Sequence, residues 1–482
     1  MEGSSSLNIA SGSATAPLLV DATGVERQQG PRTSRAASDL DTLLATGTTE
    51  EITPPADIKQ GSVVSSIANL AGTILGSGTF AMASAAADSG LVVYGILLLC
   101  VGFMAEQSIS MLMLSMEHAK VNTFPGLGRA AYGAVGEKSA IISVIIQQLG
   151  ATIAFMQIIG TVVTPLVSKI NHGHGLLAQK AFWQALLATL VIFPLCMLPR
   201  ITSLRYSSVA SVCLTLSFVG VIVIDGCAQL AKHWSAAEST DVYQHGVDWS
   251  AVPAGPSSFV HVLLAIPVLA FAQVCQMNVF PVVSELKEPT PARLSAVSKG
   301  SIIMTAVVYA LSGYLGFFIF GTRVDADVLQ SYEDMQASAD SHQQSVVVPA
   351  IVVKVLQFGI GMALTMSFPV VAYELRHSIE FVLVKHAPFN WLRHTLINIF
   401  IVAVSTIVAI LVPEISVVFG FAGATTSCLI VFILPAFFYL RVAPGPIKDH
   451  WRSKVAVVIL AVGILLVPAC LAAQGLKQAH KD

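Results

Sequence analysis

Long apolar stretches alternate with short polar segments along most of the chain. A helix of about 20 apolar residues crosses the hydrocarbon core of a bilayer, and eleven stretches reach about this length. They cover approximately residues 62–87, 90–115, 139–168, 181–199, 205–226, 258–284, 300–321, 347–373, 395–413, 415–440 and 455–473. The pattern predicts an all-α membrane protein with 11 transmembrane helices.

The composition agrees with this interpretation and excludes several other classes of protein. Of the 482 residues, 54% are hydrophobic and 11% are charged, whereas soluble domains carry roughly 25% charged residues. A net charge of −2 gives no basic surface for nucleic acid. The seven cysteines form no CxxC pair, so we interpret them as packed thiols and predict no metal and no cofactor.

Lysine and arginine predict the orientation, because they are enriched in cytosolic loops. With the N-terminus in the cytosol, 19 of the 26 basic residues lie in cytosolic segments, six lie on the other side and Lys354 lies within a span. We predict a cytosolic tail at 1–60, a membrane domain at 61–473 and a short non-cytosolic tail at 474–482. The tail has no aromatic residue and is rich in Ser, Thr, Ala and Gly, which is typical of disorder.

One short segment of the tail bears on the location of the protein. Asp39–Leu44 fits the acidic dileucine pattern that sorts membrane proteins to endosomes, lysosomes or vacuoles. Such short patterns also arise by chance. The predicted location is therefore the plasma membrane or a vacuolar or endolysosomal membrane.

Two spans contain residues that interrupt helices. Gly72, Gly76 and Gly78 lie in the first span, and each weakens a helix by about 1 kcal/mol. Close packing of small residues four apart is the alternative interpretation. The sixth span has Gln273, Gln276 and Asn278 shortly before Pro281, and we expect the proline to break the helix and to begin a new half-helix.

Interrupted helices at matching positions of two five-helix halves are typical of inverted-repeat transporters and mark their binding site. A half-helix that begins near Ser77–Thr79 offers free N–H groups to a carboxylate. A half-helix that ends near Phe271–Val274 offers carbonyls to an ammonium group or a cation. An α-amino acid satisfies both, and we predict these substrate-binding residues: Gly76, Ser77, Gly78, Thr79, Phe271, Ala272, Val274, Cys275 and Gln276.

Three stretches resemble the amino acid/auxin permease family, which includes sodium-coupled neutral, proton-coupled and vacuolar amino acid transporters. Gly76–Met82 resembles its GSGILAL segment, Val274–Leu286 resembles VCH…LPIYxEL, and Thr365–Arg376 resembles TLTVPVVxFPIR. The resemblance covers about residues 60–473. It implies a leucine-transporter-type fold with a 5+5 inverted repeat and with helices 1 and 6 broken. In that fold sodium lies between carbonyls of helix 1 and hydroxyls of helix 8, and Thr365 and Ser367 match the hydroxyl positions.

The chain departs from the family pattern at positions that bear on the coupling ion. The family's helix-six histidine is Gln276 here, and the proline after GSGILAL is Ala83. The asparagine of the sodium-coupled branch is Gly72, although Asn69 is retained. The coupling ion is therefore H⁺ or Na⁺, and the loss of the asparagine favours the proton.

Polar groups inside spans have alternative interpretations. Glu106 could carry a proton, face a water-filled vestibule or pair with a buried donor. The glutamines of the third span, Gln147, Gln148 and Gln157, could bond neighbouring helices or face the cavity. The aromatic residues Phe271, Phe280 and Tyr309 could gate the site, although packing is the simpler role.

The sequence as a whole predicts a secondary active transporter of amino acids that works by alternating access. No nucleophile–base set and no Walker motif are visible, so we predict neither an enzyme nor direct use of ATP. The alternative is an amino-acid sensor on the same fold that signals through its N-terminal tail. A channel is a further alternative.

Overall fold

The computed structural model describes residues 61–168, 179–198, 205–236, 258–321, 324–342, 349–384, 389–412, 414–443 and 451–479. These residues form helices that we number in chain order: α1 Val63–Ile74, α2 Met82–Ser89, α3 Leu91–Ala119, α4 Phe124–Ser168, α5 Lys180–Cys196, α6 Arg205–Ala236, α7 Phe259–Ala272, α8 Gln276–Glu285, α9 Pro291–Phe320, α10 Val328–His342, α11 Ala350–Leu383, α12 Trp391–Leu411, α13 Ile415–Val442 and α14 Trp451–Ala479. A 3₁₀ segment, Ser77–Ala81, joins α1 to α2. The predicted tail at 1–60, with Asp39–Leu44, lies outside the described residues.

Each predicted span coincides with a helix or a helix pair, but the count of 11 is not confirmed. Within the described residues nine helices are long and apolar enough to cross a membrane, or ten with the bent pair of α1 and the segment Ser77–Ser89. The fourth predicted span, 181–199, is filled by the shorter helix α5. Large apolar side chains such as Leu99 and Leu411 are exposed on outward faces, as expected where lipid is the solvent. The chain is therefore a multi-pass membrane protein.

Short polar side chains begin several of these helices. The hydroxyl of Ser62 accepts a hydrogen bond from the Ser65 N–H (3.1 Å) at the start of α1, and Thr290 caps α9 in front of Pro291. Asn390 accepts from two N–H groups at the start of α12. These residues satisfy N–H groups that have no partner within the helix. Gly90 has a φ of 77° and separates α2 from α3, a conformation that glycine adopts readily.

The first span is packed against α9 and is tied to the end of α8. Helix α9 runs along it, with the Ser301 hydroxyl donating to the Ile67 carbonyl (3.3 Å) and the Ser312 hydroxyl donating to the Thr79 carbonyl (3.0 Å). A bridge between Gly61 and Leu286 ties the start of α1 to the end of α8. The first span and the second half of the sixth therefore meet on one side of the molecule.

The third, eighth and ninth spans form a second set of packed helices. Helix α11 packs closely on α4 and α6. The hydroxyls of Thr152 on α4 and Ser405 on α12 are hydrogen-bonded at 2.8 Å. Gln147 on α4 accepts from the hydroxyls of Thr426 and Ser427 on α13, both at 2.9 Å. Polar residues of the third span thus bond neighbouring helices, which is one of the two roles expected for them.

Candidate functional site

The first span is broken after Ile74, as predicted. The two halves are bent by 55°. The Gly76 N–H donates to the Ile74 carbonyl (2.8 Å) and the Thr79 N–H donates to the Gly76 carbonyl (3.2 Å), so the helical pattern changes at this point. A Cβ atom added at Gly76 would have no protein atom within 4 Å. The break therefore leaves one side of its backbone accessible.

The sixth span is interrupted at Gln273–Cys275, between α7 and α8. The Cys275 N–H donates to the side-chain oxygen of Gln276 (3.0 Å), which replaces a helical backbone bond. The second half-helix begins at Gln276, and Pro281 lies inside it. The expectation that Pro281 begins the half-helix was therefore wrong. The new helix begins at Gln276, five residues before Pro281.

The two breaks lie against each other at Gly78 and Ala272. A Cβ atom added at Gly78 would lie 2.5 Å from the Ala272 Cβ and 2.8 Å from its Cα. These distances are too short for any real Cβ atom, so only glycine lets the 3₁₀ segment approach the end of α7. The predicted residues Ser77 and Thr79 on one side and Phe271 and Ala272 on the other are buried at this junction.

Tyr309 of α9 connects the two breaks. Its hydroxyl lies 2.7 Å from the Ile74 carbonyl and 2.8 Å from the Ala272 carbonyl, at the ends of α1 and α7. Carbonyls at helix ends have no partner within the helix, and one hydroxyl has a single proton to donate. The hydroxyl therefore serves the Ala272 carbonyl, which lies in the segment predicted to bind an ammonium group, and the Ile74 carbonyl at the end of α1. Sequence reasoning favoured packing for Tyr309, because a tyrosine in an apolar helix gives no signal for a distant backbone partner.

Buried amides lie beside the sixth-span break. Gln273 and Gln276 are fully buried. Neither amide atom of Gln273, nor the amide nitrogen of Gln276, has a hydrogen-bond partner among the described residues. A buried polar atom without a partner costs free energy. These amides are therefore available to a polar ligand or to water.

The other predicted residues of the sixth span differ in their surroundings. The Phe271 ring packs on the Phe419 ring of α13, with centroids 4.7 Å apart. Cys275 is buried, and Val274 is partly buried. Phe280 packs on Phe124, with centroids 6.1 Å apart. These aromatic contacts support packing roles for Phe271 and Phe280.

The candidate sodium hydroxyls of the eighth span do not point in one direction. Thr365 and Ser367 are two residues apart, which is about 200° around a helix. The Thr365 hydroxyl donates to the Gly361 carbonyl of its own helix (2.7 Å). The Ser367 hydroxyl is buried and has no partner among the described residues. Pro369 has no N–H to donate to the Thr365 carbonyl four residues before it. Thr365 therefore offers an ion its backbone carbonyl, because its hydroxyl is already bonded to Gly361.

Glu106 has two hydrogen-bond donors. Its carboxylate accepts from the Gln107 amide (2.6 Å) and from the Ser298 hydroxyl of α9 (3.1 Å). The side chain is partly buried. Pairing with a donor was one of the three interpretations, and these bonds support it.

Glu374 is a carboxylate within the eighth-span helix that sequence reasoning missed. It lies on α11, and its carboxylate accepts from the side-chain amide of Gln148 on α4. The predicted eighth span ended at residue 373 because the apolar run stops there. The helix continues to Leu383, so a span boundary read from hydropathy placed this carboxylate in a loop.

Helix α10 lies beside the first break. It packs on the 3₁₀ segment, and aromatic rings connect the two: Phe80 contacts Phe218 (centroids 5.9 Å apart), and Phe218 contacts Tyr332 of α10 (5.6 Å). The Asp327 carboxylate accepts from the Leu329 N–H (3.0 Å) at the start of α10. Burial raises the pKa of Asp327 to about 6. Protonation of Asp327 therefore favours the arrangement in which its carboxyl is buried.

Comparison with known proteins identifies similar sequences. A family model described as "Transmembrane amino acid transporter protein" matches residues 59–475. Sodium-coupled neutral amino acid transporter 4 of Homo sapiens and that of Pongo abelii are each 29% identical to the chain over 466 residues. Each match covers 84% of this chain and 82% of the relative.

Solved structures show the same arrangement of helices. An inward-facing conformation of Mhp1 has a TM-score of 0.53 at 14% identity and covers 85% of this chain and 90% of Mhp1. MhsT in complex with L-phenylalanine has a TM-score of 0.50 at 14% identity and covers 85% of this chain and 97% of MhsT. At these identities the likeness concerns the fold alone, which is of the leucine-transporter type.

Proposed function

Because the chain belongs to the transmembrane amino acid transporter family, we propose that it is a secondary active transporter that moves amino acids by alternating access. We further propose 11 spans, ten of which form two inverted five-helix halves, with residues 1–60 in the cytosol and residues 474–482 on the other side. The observation that carries the proposal is the junction of two interrupted helices, one from each half, at Gly78 and Ala272. A mid-membrane break is tolerated only where it is buried in protein or lines a cavity.

The substrate is held by backbone groups at the two breaks. Its carboxylate accepts from the N–H groups of Ser77 and Gly78, the first of the 3₁₀ segment, where helix geometry leaves N–H groups free. Its ammonium group donates to the carbonyls of Ile74 and Ala272 and replaces the Tyr309 hydroxyl as their donor. Both breaks thus contribute backbone groups that bind one zwitterionic amino acid.

The side chains of the site favour neutral amino acids. The unpartnered groups beside the sixth-span break are the amides of Gln273 and Gln276, which carry no net charge. The similar human and orangutan proteins are named as transporters of neutral amino acids. A neutral side chain on the substrate needs no counter-charge in the site, and burying an unpaired charge would be costly.

The proton is the proposed coupling ion, and sodium is the alternative. Sodium is supported by the relatives, which are named as sodium-coupled transporters. The Thr365 carbonyl and the Ser367 hydroxyl would provide two oxygen ligands. The change of the family asparagine to Gly72 removes a group of the sodium-coupled branch, and carboxylates within spans offer proton-binding groups. These features favour the proton.

Uptake into proteoliposomes tests this function. Purified protein is presented with a panel of labelled amino acids under an imposed pH gradient, an imposed sodium gradient or neither. We expect saturable uptake of neutral amino acids that the pH gradient drives above equilibrium. The absence of uptake and exchange for every amino acid, with correctly folded protein, would refute the transporter assignment.

Ser367→Ala separates the two ions within the same assay. If protons drive uptake, the variant keeps gradient-driven accumulation within about twofold of the unchanged protein. If sodium drives uptake, loss of a hydroxyl ligand should raise the sodium concentration for half-maximal uptake about tenfold, equivalent to about 1.4 kcal/mol. Thr365→Val tests the hydroxyl that is already bonded within α11, and we expect it to affect neither form of uptake by more than about twofold.

A further inference from the structure

Glu374 lies well inside the eighth span. The candidate span runs from Ile351 to Leu383, and Glu374 lies nine residues before its end, about 14 Å at 1.5 Å per residue. The side chain is partly buried. Its carboxylate accepts a hydrogen bond from the Gln148 amide of α4. A carboxylate enclosed among helices with an amide as its partner is costly to keep charged.

No cation pairs with Glu374 among the described residues. The charged groups further along α11 have other partners. Arg376 contacts the His394 ring of α12 and lies over the Tyr373 ring (4.9 Å). Glu380 pairs with Arg393 of α12 (3.5 Å). His377 packs on the Tyr373 ring. Within the part of the chain that the structure describes, the only side-chain partner of the carboxylate is therefore a neutral amide.

The other helices that pack on α11 hold their ionisable groups elsewhere. On α4, Glu137 pairs with Arg129 (3.6 Å) and lies eleven residues before Gln148. On α6, Asp225 accepts from the Tyr332 hydroxyl (3.3 Å). The acidic residues of α10 lie near the start of α11, where Gln357 donates to the Leu329 carbonyl (2.9 Å). Cys196 of α5 is buried beside Arg376.

Glu374 shares a helix face with Ser367. The two residues are seven apart, which is close to two turns and about 10 Å along the helix. The Ser367 hydroxyl is buried without a partner among the described residues. Glu374 thus lies on a face of α11 that also carries a hydroxyl with no partner among the described residues.

We propose that Glu374 is the proton-binding site of this transporter, an inference that rests on the proposed transport function. On one side of the membrane a hydronium ion gives its proton to a carboxylate oxygen, so an O–H bond forms and a water molecule is left. The same bond breaks to give the proton to water on the other side, with no other reactant. The transporter closes over the site when Glu374 is protonated and neutral. The single amide of Gln148 offsets only part of the cost of burying the charged carboxylate. Gln148 holds the carboxyl in place in both forms.

Glu374→Gln tests the inference, because glutamine keeps the shape and accepts from Gln148 but binds no proton. In proteoliposomes we expect amino-acid exchange at equal pH to stay within about twofold of the unchanged protein. We expect accumulation driven by a pH gradient, and proton movement caused by the amino acid, to fall at least about tenfold. The matched control is Glu117→Gln, which changes an exposed glutamate of α3 and should retain both activities.

Several results would overturn the inference. Accumulation driven by the pH gradient in Glu374→Gln would do so, as would uncoupling in Glu106→Gln but not in Glu374→Gln. If the unchanged protein exchanges no amino acid, the proposed function fails and the inference fails with it. If it exchanges amino acids without moving protons, the inference alone fails.

Gln148→Leu keeps the inference testable if Glu374→Gln does not fold. Removal of the amide donor makes the charged carboxylate less favourable. The midpoint of the pH dependence of uptake should therefore move to higher pH by about one unit. A midpoint that does not move, in a variant that still transports, would overturn the proposal.

Discussion

Gly78→Val is expected to reduce amino-acid uptake to background, and Gly78→Ala to reduce it at least about tenfold. The added Cβ would lie 2.8 Å from the Ala272 Cα, so the backbone of α7 must move and the two breaks separate. Overpacking of this kind costs about 1–3 kcal/mol, which corresponds to roughly 5–150-fold in an equilibrium. Initial rates of labelled amino-acid uptake, normalised to folded protein, provide the measurement.

Gly220→Val is the matched control for Gly78. Gly220 lies within α6, and a Cβ added there would have no protein atom within 4 Å. We expect this variant to retain uptake within about twofold. Full uptake by Gly78→Val would show that the first and sixth spans need not approach each other, and the proposed site would have to lie elsewhere.

Tyr309→Phe is expected to destabilise the protein without amino acid and to increase its affinity for amino acid. Loss of the hydroxyl leaves the carbonyls of Ile74 and Ala272 without their donor, and an unsatisfied buried group costs about 1–3 kcal/mol. An ammonium group that donates to the same carbonyls would no longer compete with the hydroxyl. The melting temperature of purified protein should fall, and the increase in melting temperature at saturating amino acid should become larger.

Tyr314→Phe is the control on the same helix. The Tyr314 hydroxyl donates to the Leu91 carbonyl (3.2 Å) and contacts neither break. We expect a smaller loss of stability and an unchanged response to amino acid. A weaker response to amino acid in Tyr309→Phe would mean that the hydroxyl binds the substrate directly rather than exchanging with it.

The positions of the breaks could be predicted from local sequence, but their contacts could not. Three glycines in the first span and the amides of the sixth lower helix stability wherever they occur. That Gly78 faces Ala272 depends on the packing of two segments nearly 200 residues apart. Pro281 was misassigned because a proline is also tolerated within the first turns of a helix, and α8 begins five residues before it.

Functional groups on the seventh and eighth spans illustrate two further limits. A family pattern transfers residue positions but not directions, so Thr365 and Ser367 were paired although a helix turns them apart. The Tyr309 hydroxyl serves backbone carbonyls on two other helices, and the sequence around it is simply apolar. Glu374 was missed because it follows directly after the apolar run, and only the length of α11 places it within a span.

A cryo-electron microscopy map of the full chain with a saturating neutral amino acid tests the central claim most directly. The map should show the first span broken at Gly76 and the sixth at Gln273–Cys275, with ligand density between them. The carboxylate should lie at the N–H groups of Ser77 and Gly78, and the ammonium group should lie within hydrogen-bond distance of the Ala272 carbonyl. Two continuous helices, or ligand density away from both breaks, would contradict it.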